Sequence, residues 1–405
     1  MDAIYQRCCG IDVHKKLIVT CLRVGRKEEI KSFGTSTAEI TKMIEWLEKN
    51  GCEAVAMEST GSFWKPLYNL LELNGITTIV ANAQHIKAVP GRKTDVKDAQ
   101  WIADLLQHGL LKASYIPTRD QRELREISRY RKSLIEERAR ELNRLQKVLE
   151  GGNIKLSSVV RDINGTTSRA LLDTILREGV NESNIDENLY GNLRKKRREL
   201  LEACNGYLSP LQCRLVRAIL DHIDDMTKRI ADISGIIDEH MKEYEDAVNR
   251  LDEIPGVSRQ SAQVILAEIG LDMNRFPTAG HLARWIGVAP GNNESAQKRK
   301  SGRTTKGNMT AKTALIQCAK TAKRKKDSYF KAQFDRLAVR RGKNRAVVAV
   351  AHSMVIAIYY MLKDGEVFKD LGVDYYMEHN PQRKIAYHLK KLQALGWVMP
   401  TTTMA

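Results

Sequence analysis

Short runs of apolar residues alternate with longer periodic segments over the first 115 positions of the chain. The short runs predict β-strands at Cys8–Asp12, Leu17–Val24, Glu29–Phe33, Ala54–Met57 and Thr77–Val80. Between them, apolar residues return every three or four positions, which predicts helices at Ala38–Lys49, Trp64–Leu73 and Asp95–Gln107. Three consecutive strands followed by strand–helix alternation indicate a mixed α/β sheet with helices packed on it.

From residue 116 to residue 250 the pattern is helical. Arg119–Glu150 has no strand signal and carries an intermittent stripe of leucines, which favours one long helix able to form an antiparallel or intermolecular coiled coil. Arg131 and Arg138 interrupt a strict heptad. A second helical zone, about Leu193–Arg250, has isoleucines at spacings of three and four, which is typical of a core or a dimer seam.

The remaining chain begins with a turn between two helical segments. Leu251–Ser258 contains Ile-Pro-Gly-Val and leads into the apolar run Ala262–Gly270, a pattern resembling a helix–hairpin–helix element that presents backbone N–H groups to a DNA phosphate. Ala346–Leu362 is the most membrane-like stretch, but it is short and contains His352 and Ser353, so we predict a buried helix. These patterns divide the chain into 1–115, 116–250, 251–365 and a tail, 366–405.

Composition is that of a soluble globular protein. The chain has 405 residues, of which 42% are hydrophobic and 28% charged, enough for two or three domains. Its seven cysteines include no C-x-x-C pair, which predicts free thiols in a reducing cytosol rather than disulfides or a zinc site. The N-terminus has no secretory signal pattern, and we expect no membrane association.

Positive charge is concentrated in one segment. The formal net charge is +17, yet residues 1–115 carry 15 basic and 13 acidic side chains, and residues 156–290 carry 17 and 21. Residues 291–345 carry 17 basic side chains against 3 acidic ones. A solvated helix face could account for part of this excess, but its size favours contact with nucleic acid.

Four carboxylates stand where secondary-structure elements begin or end. Asp12 ends a predicted strand and Glu58 follows another, while Asp95 and Asp98 lie three apart at a predicted helix start and so share one face of its first turn. Carboxylate oxygens are hard ligands that suit Mg²⁺, which can orient and polarise a phosphate. The alternative is that the four are unrelated surface acids. Their shared context favours a magnesium site.

The sequence resembles the DEDD transposases of bacterial insertion sequences that also carry a serine and act as RNA-guided recombinases. Asp12, Glu58, Asp95 and Asp98 occupy the four acid positions of their RuvC/RNase H-like N-terminal domain. The resemblance continues, after a helical coiled-coil middle, into a mainly α C-terminal transposase domain, through Ile254–Val257, Phe276, Trp285–Pro290 and Gly302–Asn308. The family's serine falls on Ser295, followed here by Ala296 where many members have glycine. Ser301 is the competing candidate, but its distance from the later landmarks does not match.

The resemblance implies an activity and its partners. Ser295 would attack a scissile phosphate to give a phosphoserine link, conserving the bond energy for Mg²⁺-dependent strand exchange. Implied partners are double-stranded DNA at the element ends and the target, a structured guide RNA, and further copies of the chain in a dimer or tetramer. The implied setting is the bacterial cytoplasm, at the nucleoid. Nucleic-acid contacts are expected from Lys298, Arg299, Lys300, Arg303, Lys306 and Gly256.

Residue chemistry alone leaves two rival interpretations open. A serine hydroxyl needs activation before it is nucleophilic, and a serine in a basic Gly/Asn-rich loop more often binds phosphate than attacks it. The acids could therefore cut with water, as in a hydrolytic RuvC-like junction nuclease. Alternatively, the acids could be structural, in a non-enzymatic nucleic-acid-binding protein. His14, Lys15 and Lys16 are expected to be either phosphate contacts or plain surface residues, and not catalytic ones.

Overall fold

The computed structural model divides the chain into two units, Met1–Arg119 and Asp120–Ala405. It describes residues 3–59, 61–81, 95–291, 293–295, 298–301, 303–378 and 381–397. Within these ranges the description is of the backbone alone at 95–97, 293–295, 298–301, 377–378, 381–384 and 387–388.

A five-stranded sheet forms the centre of the first unit. Its strands are β1 (Arg7–Val13), β2 (Ile18–Val24), β3 (Lys27–Phe33), β4 (Ala54–Glu58) and β5 (Thr77–Ala81). They lie in the order β3-β2-β1-β4-β5, with β1, β2 and β3 antiparallel and β4 parallel to both β1 and β5. The predicted mixed α/β sheet is confirmed, and each predicted strand overlaps an observed one.

Helices cover both faces of this sheet. They are α1 (Thr37–Lys49), α2 (Trp64–Leu73) and α3 (Asp95–Gln107). Side chains alternate between the faces of a strand, so Cys9 and Ile11 pack with apolar residues of α1 and α2, whereas Cys8 packs with those of α3. Both faces are therefore buried, which explains why β1 reads as an apolar run rather than an alternating one.

The second unit is mainly helical. Its α-helices are α4 (Arg119–Gly151), α5 (Leu156–Val159), α6 (Thr166–Arg177), α7 (Arg197–Cys204), α8 (Pro210–His240), α9 (Glu245–Asp252), α10 (Arg259–Ile269), α11 (Ala279–Ile286), α12 (Met309–Ala322), α13 (Tyr329–Arg341), α14 (Lys343–Asp364), α15 (Tyr375–Glu378) and α16 (Pro381–Ala394). Short 3₁₀ helices occur at Asp186–Asn188, Gly191–Lys196, Lys242–Tyr244 and Met273–Arg275. A small hairpin pairs β6 (Asn293–Ser295) with β7 (Lys298–Ser301).

Two apolar cores lie within this unit. One is built from α4 to α8, with Leu145, Leu171 and Ile223 fully buried in it. The other is built mainly from α9 to α14, and includes Leu266 and Met354. The two long helices contribute to both cores, since Leu124 of α4 and Ile237 of α8 belong to the second. A helical remainder is confirmed.

The two arginines that interrupt the heptad of α4 make contacts inside this unit. Arg138 donates to Thr227 Oγ1 of α8 at 3.2 Å. Arg131 is only 3% exposed and donates to Gln263 Oε1 of α10 at 3.3 Å. Burial lowers the pKa of the Arg131 guanidinium. The face of α4 that carries these arginines is thus occupied by helices of the same chain.

Helix α14 is the one helix in the described part of the chain that is long and apolar enough to cross a membrane. Half of its apolar window is buried, and Val350, Met354 and Ile358 lie in the second core. The predicted buried helix is confirmed. All seven cysteines are free, and burial raises the pKa of the Cys8 thiol to about 11 and that of Cys52 to about 12.

Candidate functional site

Asp12 and Glu58 lie at the same end of two neighbouring parallel strands. Ile11 of β1 pairs with Met57 of β4, and each acid is the next residue along its strand. The carboxyl ends of parallel strands meet at one edge of a sheet, where open α/β folds place their ligands. The register therefore brings these two predicted acids side by side.

Both acids also share the face of the sheet that α3 covers. Gly10 lies two residues before Asp12 and faces α3, since a Cβ on Gly10 would come within 2.3 Å of the Ala103 nitrogen. Ala56 lies two residues before Glu58 and packs with α3 side chains. Asp12 and Glu58 thus continue two rows of side chains that lie beneath this helix.

The direction of α3 places its first turn beside these strand ends. Its last residue, Gln107, accepts from Ile4 N at 2.8 Å, just before β1 begins. Its N-terminal half therefore runs toward the end of β1, where Asp12 lies. Asp98 is half-buried in the first turn. The backbone of Asp95 begins α3, but its side chain lies outside the described residues.

Asp12 is hydrogen-bonded to a histidine two residues further along the chain. His14 Nε2 lies 2.9 Å from Asp12 Oδ2, and the backbone N–H of His14 donates to Leu17 O at 2.8 Å in the turn between β1 and β2. The Asp12 side chain is 17% exposed. Among the side chains that the structure describes, no three His, Cys, Asp or Glu residues form a group that could hold a metal ion. The four-acid magnesium site includes Asp95 and stays a prediction.

Ser295 is the last residue of β6 and pairs with Lys298, the first residue of β7. Ser301, the rival candidate, pairs with Asn293 at the opposite end of the hairpin. We expected a loop around Ser295, and the structure instead has a two-stranded hairpin there. Its strands carry polar and charged residues in place of an apolar alternation, so periodicity could not reveal them. The side chains of Ser295 and Ser301 lie outside the described residues.

The base of the hairpin is fixed to the rest of the second unit by backbone contacts. Gly291 N donates to Arg303 O at 2.9 Å, and Pro290 forms a β-bridge with Thr304. Gly287 and Gly307 pack backbone to backbone, because a Cβ on Gly307 would lie 2.5 Å from Gly287 N. Residues 303–308 thus form the seat of the serine hairpin, and Gly302 of the predicted motif lies outside the described residues.

The predicted nucleic-acid contacts have different structural settings. Arg303 and Lys306 are exposed beside the hairpin, whereas the side chains of Lys298, Arg299 and Lys300 lie outside the described residues. Gly256 connects α9 to α10 with φ of 86°, and a Cβ there would come within 2.5 Å of Cys318 O in α12. Close packing against α12 therefore requires glycine at this position. Its contact with a phosphate stays a prediction.

Sequence reasoning did not single out Glu268. This carboxylate is 1% exposed within α10 and binds Arg129 of α4 and Asn308 beside the hairpin. The sequence does contain one indication of its importance: Glu268 is a single acid inside the apolar run 262–270, where a buried charge destabilises the fold unless it is paired.

Two family models match separate parts of the chain. A model described as "Transposase", named for the DEDD motif and IS110, matches residues 9–154, which include all four predicted acids. A model described as "Transposase IS116/IS110/IS902 family" matches residues 248–335, which include Ser295.

Several curated transposases are similar over most of their length. A transposase for insertion sequence element IS1111A of Coxiella burnetii is 25% identical over 89% of this chain and 87% of that protein. A probable family 20 transposase of Pseudomonas aeruginosa is 23% identical over 78% of this chain and 80% of its own. A putative transposase of Sinorhizobium fredii is 25% identical over 77% of this chain and 70% of its own. The chain is therefore similar to IS110/IS116-family insertion-sequence transposases in both matched regions.

Proposed function

We propose that this protein is a DNA recombinase that moves an insertion sequence by way of a covalent phosphoserine intermediate at Ser295. Asp12, Glu58, Asp95 and Asp98 form its acid centre, and Ser295 supplies the nucleophile. The observation that carries the acid centre is the β1–β4 register, which sets Asp12 beside Glu58 under the helix that begins at Asp95. Family similarity at both ends of the chain supports the pairing of these two parts in one activity.

The donor set of the acid centre fits magnesium. All four groups are carboxylates, the hard oxygen ligands that Mg²⁺ prefers, and the described neighbourhood adds no thiolate that would favour a softer metal at these strand ends. Asp12, Glu58, Asp95 and Asp98 would hold the ion. Bound there, it would neutralise charge on a phosphate and fix its orientation. The bond from His14 to Asp12 Oδ2 fixes the orientation of that carboxylate at the end of β1.

The serine step conserves the number of phosphoester bonds. Ser295 Oγ forms a bond to the scissile phosphorus, and the bond from that phosphorus to a deoxyribose oxygen breaks. The serine proton passes to a base, and the leaving oxygen takes up a proton to become a hydroxyl group. When a hydroxyl of another strand attacks the phosphoserine, the serine is released and the strands are joined without ATP. Basic residues beside the hairpin, including Arg303 and Lys306, stabilise the charge on the phosphorane.

The partners follow from the basic segment and the family resemblance. Residues 291–345 bind the phosphate backbone of DNA at the element ends and the target, and a structured RNA selects both sequences. The turn Ile254–Val257 contributes a helix–hairpin–helix contact, and further copies of the chain assemble with it into a dimer or tetramer. The protein acts at the bacterial nucleoid. Sequencing the RNA that co-purifies with the protein tests the guide, which should map to DNA flanking the gene.

A plasmid recombination assay tests the proposed function. Wild-type protein, its RNA and Mg²⁺ should join a plasmid carrying the element junction to a target plasmid, and chelation of the metal should stop the reaction. Ser295→Ala and Glu58→Gln should each bind DNA but give neither cut nor joined product. Cleavage by Ser295→Ala would indicate the hydrolytic nuclease, and binding without any cleavage by the wild type would indicate the non-enzymatic protein.

A further inference from the structure

Glu268 is the centre of a hydrogen-bonded network that joins three distant parts of the second unit. Its Oε1 accepts from Arg129 Nε at 2.7 Å, and its Oε2 accepts from Arg129 Nη2 at 2.8 Å and from Asn308 Nδ2 at 2.7 Å. Arg129 lies on α4, Glu268 on α10 and Asn308 directly before α12. One carboxylate thereby connects the long helix to the segment that supports the serine hairpin.

Arg125 completes the anchorage of α10 to α4. Its guanidinium donates to the carbonyl oxygens of Ala267, at 3.2 Å, and Glu268, and it lies 5.7 Å from the centre of the Trp285 ring. Burial lowers the pKa of Arg125 to about 10, and the charge of Glu268 opposes this shift. Both arginines of α4 thus hold the end of α10 in one place.

Asn308 transmits this anchorage to the hairpin. Its Oδ1 accepts from Thr310 N and Ala311 N, each at 3.1 Å, and so caps α12. Its backbone N–H donates to Trp285 O at 3.0 Å. Its side-chain amide nitrogen is the group that binds Glu268. These contacts fix Asn308, the last residue of the segment that supports the hairpin.

A gain in folding stability does not by itself account for such a network. A buried ion pair often contributes little, because desolvation of both charges offsets their attraction, and its best-attested role is to specify one arrangement among several. A planar Arg129 fork on one carboxylate fixes both distance and angle. The network around Glu268 is therefore suited to hold the hairpin in a single orientation relative to α4.

We propose that Glu268, together with Arg129 and Asn308, positions the hairpin that carries Ser295 for attack on the scissile phosphate. This inference rests on the proposed nucleophilic role of Ser295. The side-chain contacts of Glu268 in the described residues are with Arg125, Arg129 and Asn308, so we assign it as a positioning residue. Small errors in the placement of a nucleophile reduce rates strongly, by about a hundred-fold for a displacement of about 1 Å.

The test combines two variants, Asn308→Ser and Arg129→Gln, with one matched control. Asn308→Ser keeps an oxygen able to cap α12 but removes the amide that binds Glu268, so it should fold even if Glu268→Gln does not. Arg129→Gln weakens the network at Arg129, whose side chain is half-exposed. Arg138→Gln removes another arginine of α4, one that bonds Thr227 and has no contact with the hairpin seat in the described residues.

Hydrogen exchange of the intact protein gives the first readout, independently of catalysis. Asn308→Ser and Arg129→Gln should raise amide exchange in 293–308 while α14 and the α4–α8 core keep wild-type protection, and Arg138→Gln should leave 293–308 unchanged. Unchanged exchange of 293–308 in both variants, or an equal rise throughout the second unit, would overturn the inference.

Single-turnover formation of the protein–DNA adduct gives the second readout. Asn308→Ser should slow it by about a hundred-fold while DNA affinity stays within about two-fold of wild type, because the basic side chains are untouched. Wild-type adduct rates in Asn308→Ser and Arg129→Gln would overturn the positioning role. A wild-type protein that forms no adduct would instead contradict the proposed function. The hydrogen-exchange result would still decide whether the network around Glu268 holds the hairpin.

Discussion

Gly10 of β1 lies directly against the backbone of Ala99 in α3, so closely that a Cβ on Gly10 would come within 2.2 Å of the Ala99 carbonyl oxygen. This contact sets the distance between the sheet and the helix whose first turn carries Asp98. Neither partner can yield by a side-chain rotation, because both contacting groups are backbone. The spacing of the proposed acid centre would thus depend on the absence of a side chain at Gly10.

Gly10→Ala should therefore displace α3 and impair the acid centre. Overpacking against backbone costs about 1–3 kcal/mol of unfolding free energy, measurable by urea denaturation, and strand cleavage should fall at the same time. Gly34→Ala is the control, since the nearest atom to its Cβ is Cγ of the flexible Glu39 side chain, at 3.1 Å. Equal stability and cleavage in the two variants would show that the close contact is not needed.

Neutralising either strand-end acid should abolish cleavage without unfolding the protein. Asp12→Asn and Glu58→Gln each remove a proposed magnesium ligand, while the melting temperature without metal should hold or rise because like charges are no longer close together. The exposed Glu45 of α1 provides the control, Glu45→Gln, with normal cleavage expected. Wild-type cleavage by either strand-end variant would exclude that residue from the acid centre.

Binding of duplex DNA should depend steeply on salt through the exposed cluster Arg324, Lys325 and Lys326. The logarithm of affinity should fall linearly with the logarithm of salt concentration. Changing the three residues to Gln should reduce the slope by about 0.9 for each phosphate that the protein no longer neutralises. Lys323 is left in place because its ammonium lies 4.5 Å from the Phe334 ring centre. Lys228→Gln, on α8, should not alter the slope, and an unchanged slope in the triple variant would move the DNA-binding surface elsewhere.

Arg131 and Gln263 should be energetically coupled. Gln263→Ala removes the described acceptor of a buried guanidinium and should destabilise the protein by about 1–3 kcal/mol. Arg131→Met in that background should recover part of the loss, since the buried guanidinium that lost its acceptor is then removed. A double-mutant cycle of unfolding free energies measures the coupling, and purely additive effects would contradict it.

Much of the first unit could be predicted from the sequence. Strands β1, β2, β4 and β5 are short, largely apolar runs, whereas β3 is mostly polar, and the sequence order of the five strands favours a mixed sheet. Asp12 and Glu58 could be named because each follows such a run. Their adjacency could not, because it depends on which strands pair and in which register.

The second unit was less accessible to sequence reasoning. Its long helices have the predicted period, but α6 lies in a segment without a distinct pattern, and the β6–β7 hairpin consists of polar residues. The contact of Arg131 could not be predicted either. In the heptad pattern Arg131 interrupts the apolar stripe, whereas in the folded protein its guanidinium donates a hydrogen bond to Gln263. Glu268 gains its partners from residues 139 and 40 positions away. Coiled-coil assembly, the helix–hairpin–helix contact and the magnesium site stay predictions.

The most direct test of the account is to identify the residue that becomes linked to DNA. A duplex carrying the element junction, with a nick next to the scissile bond, loses the strand needed for rejoining and should trap a denaturation-resistant adduct on the wild-type protein in Mg²⁺. Peptide mapping by mass spectrometry should place the nucleotide on Ser295, and Ser295→Ala should give neither adduct nor cleavage while binding DNA normally. Ser301→Ala, at the base of the hairpin, should keep much of both activities. Cleavage by Ser295→Ala at close to the wild-type rate would contradict the phosphoserine mechanism, and an adduct on Ser301 would contradict the assignment of the nucleophile.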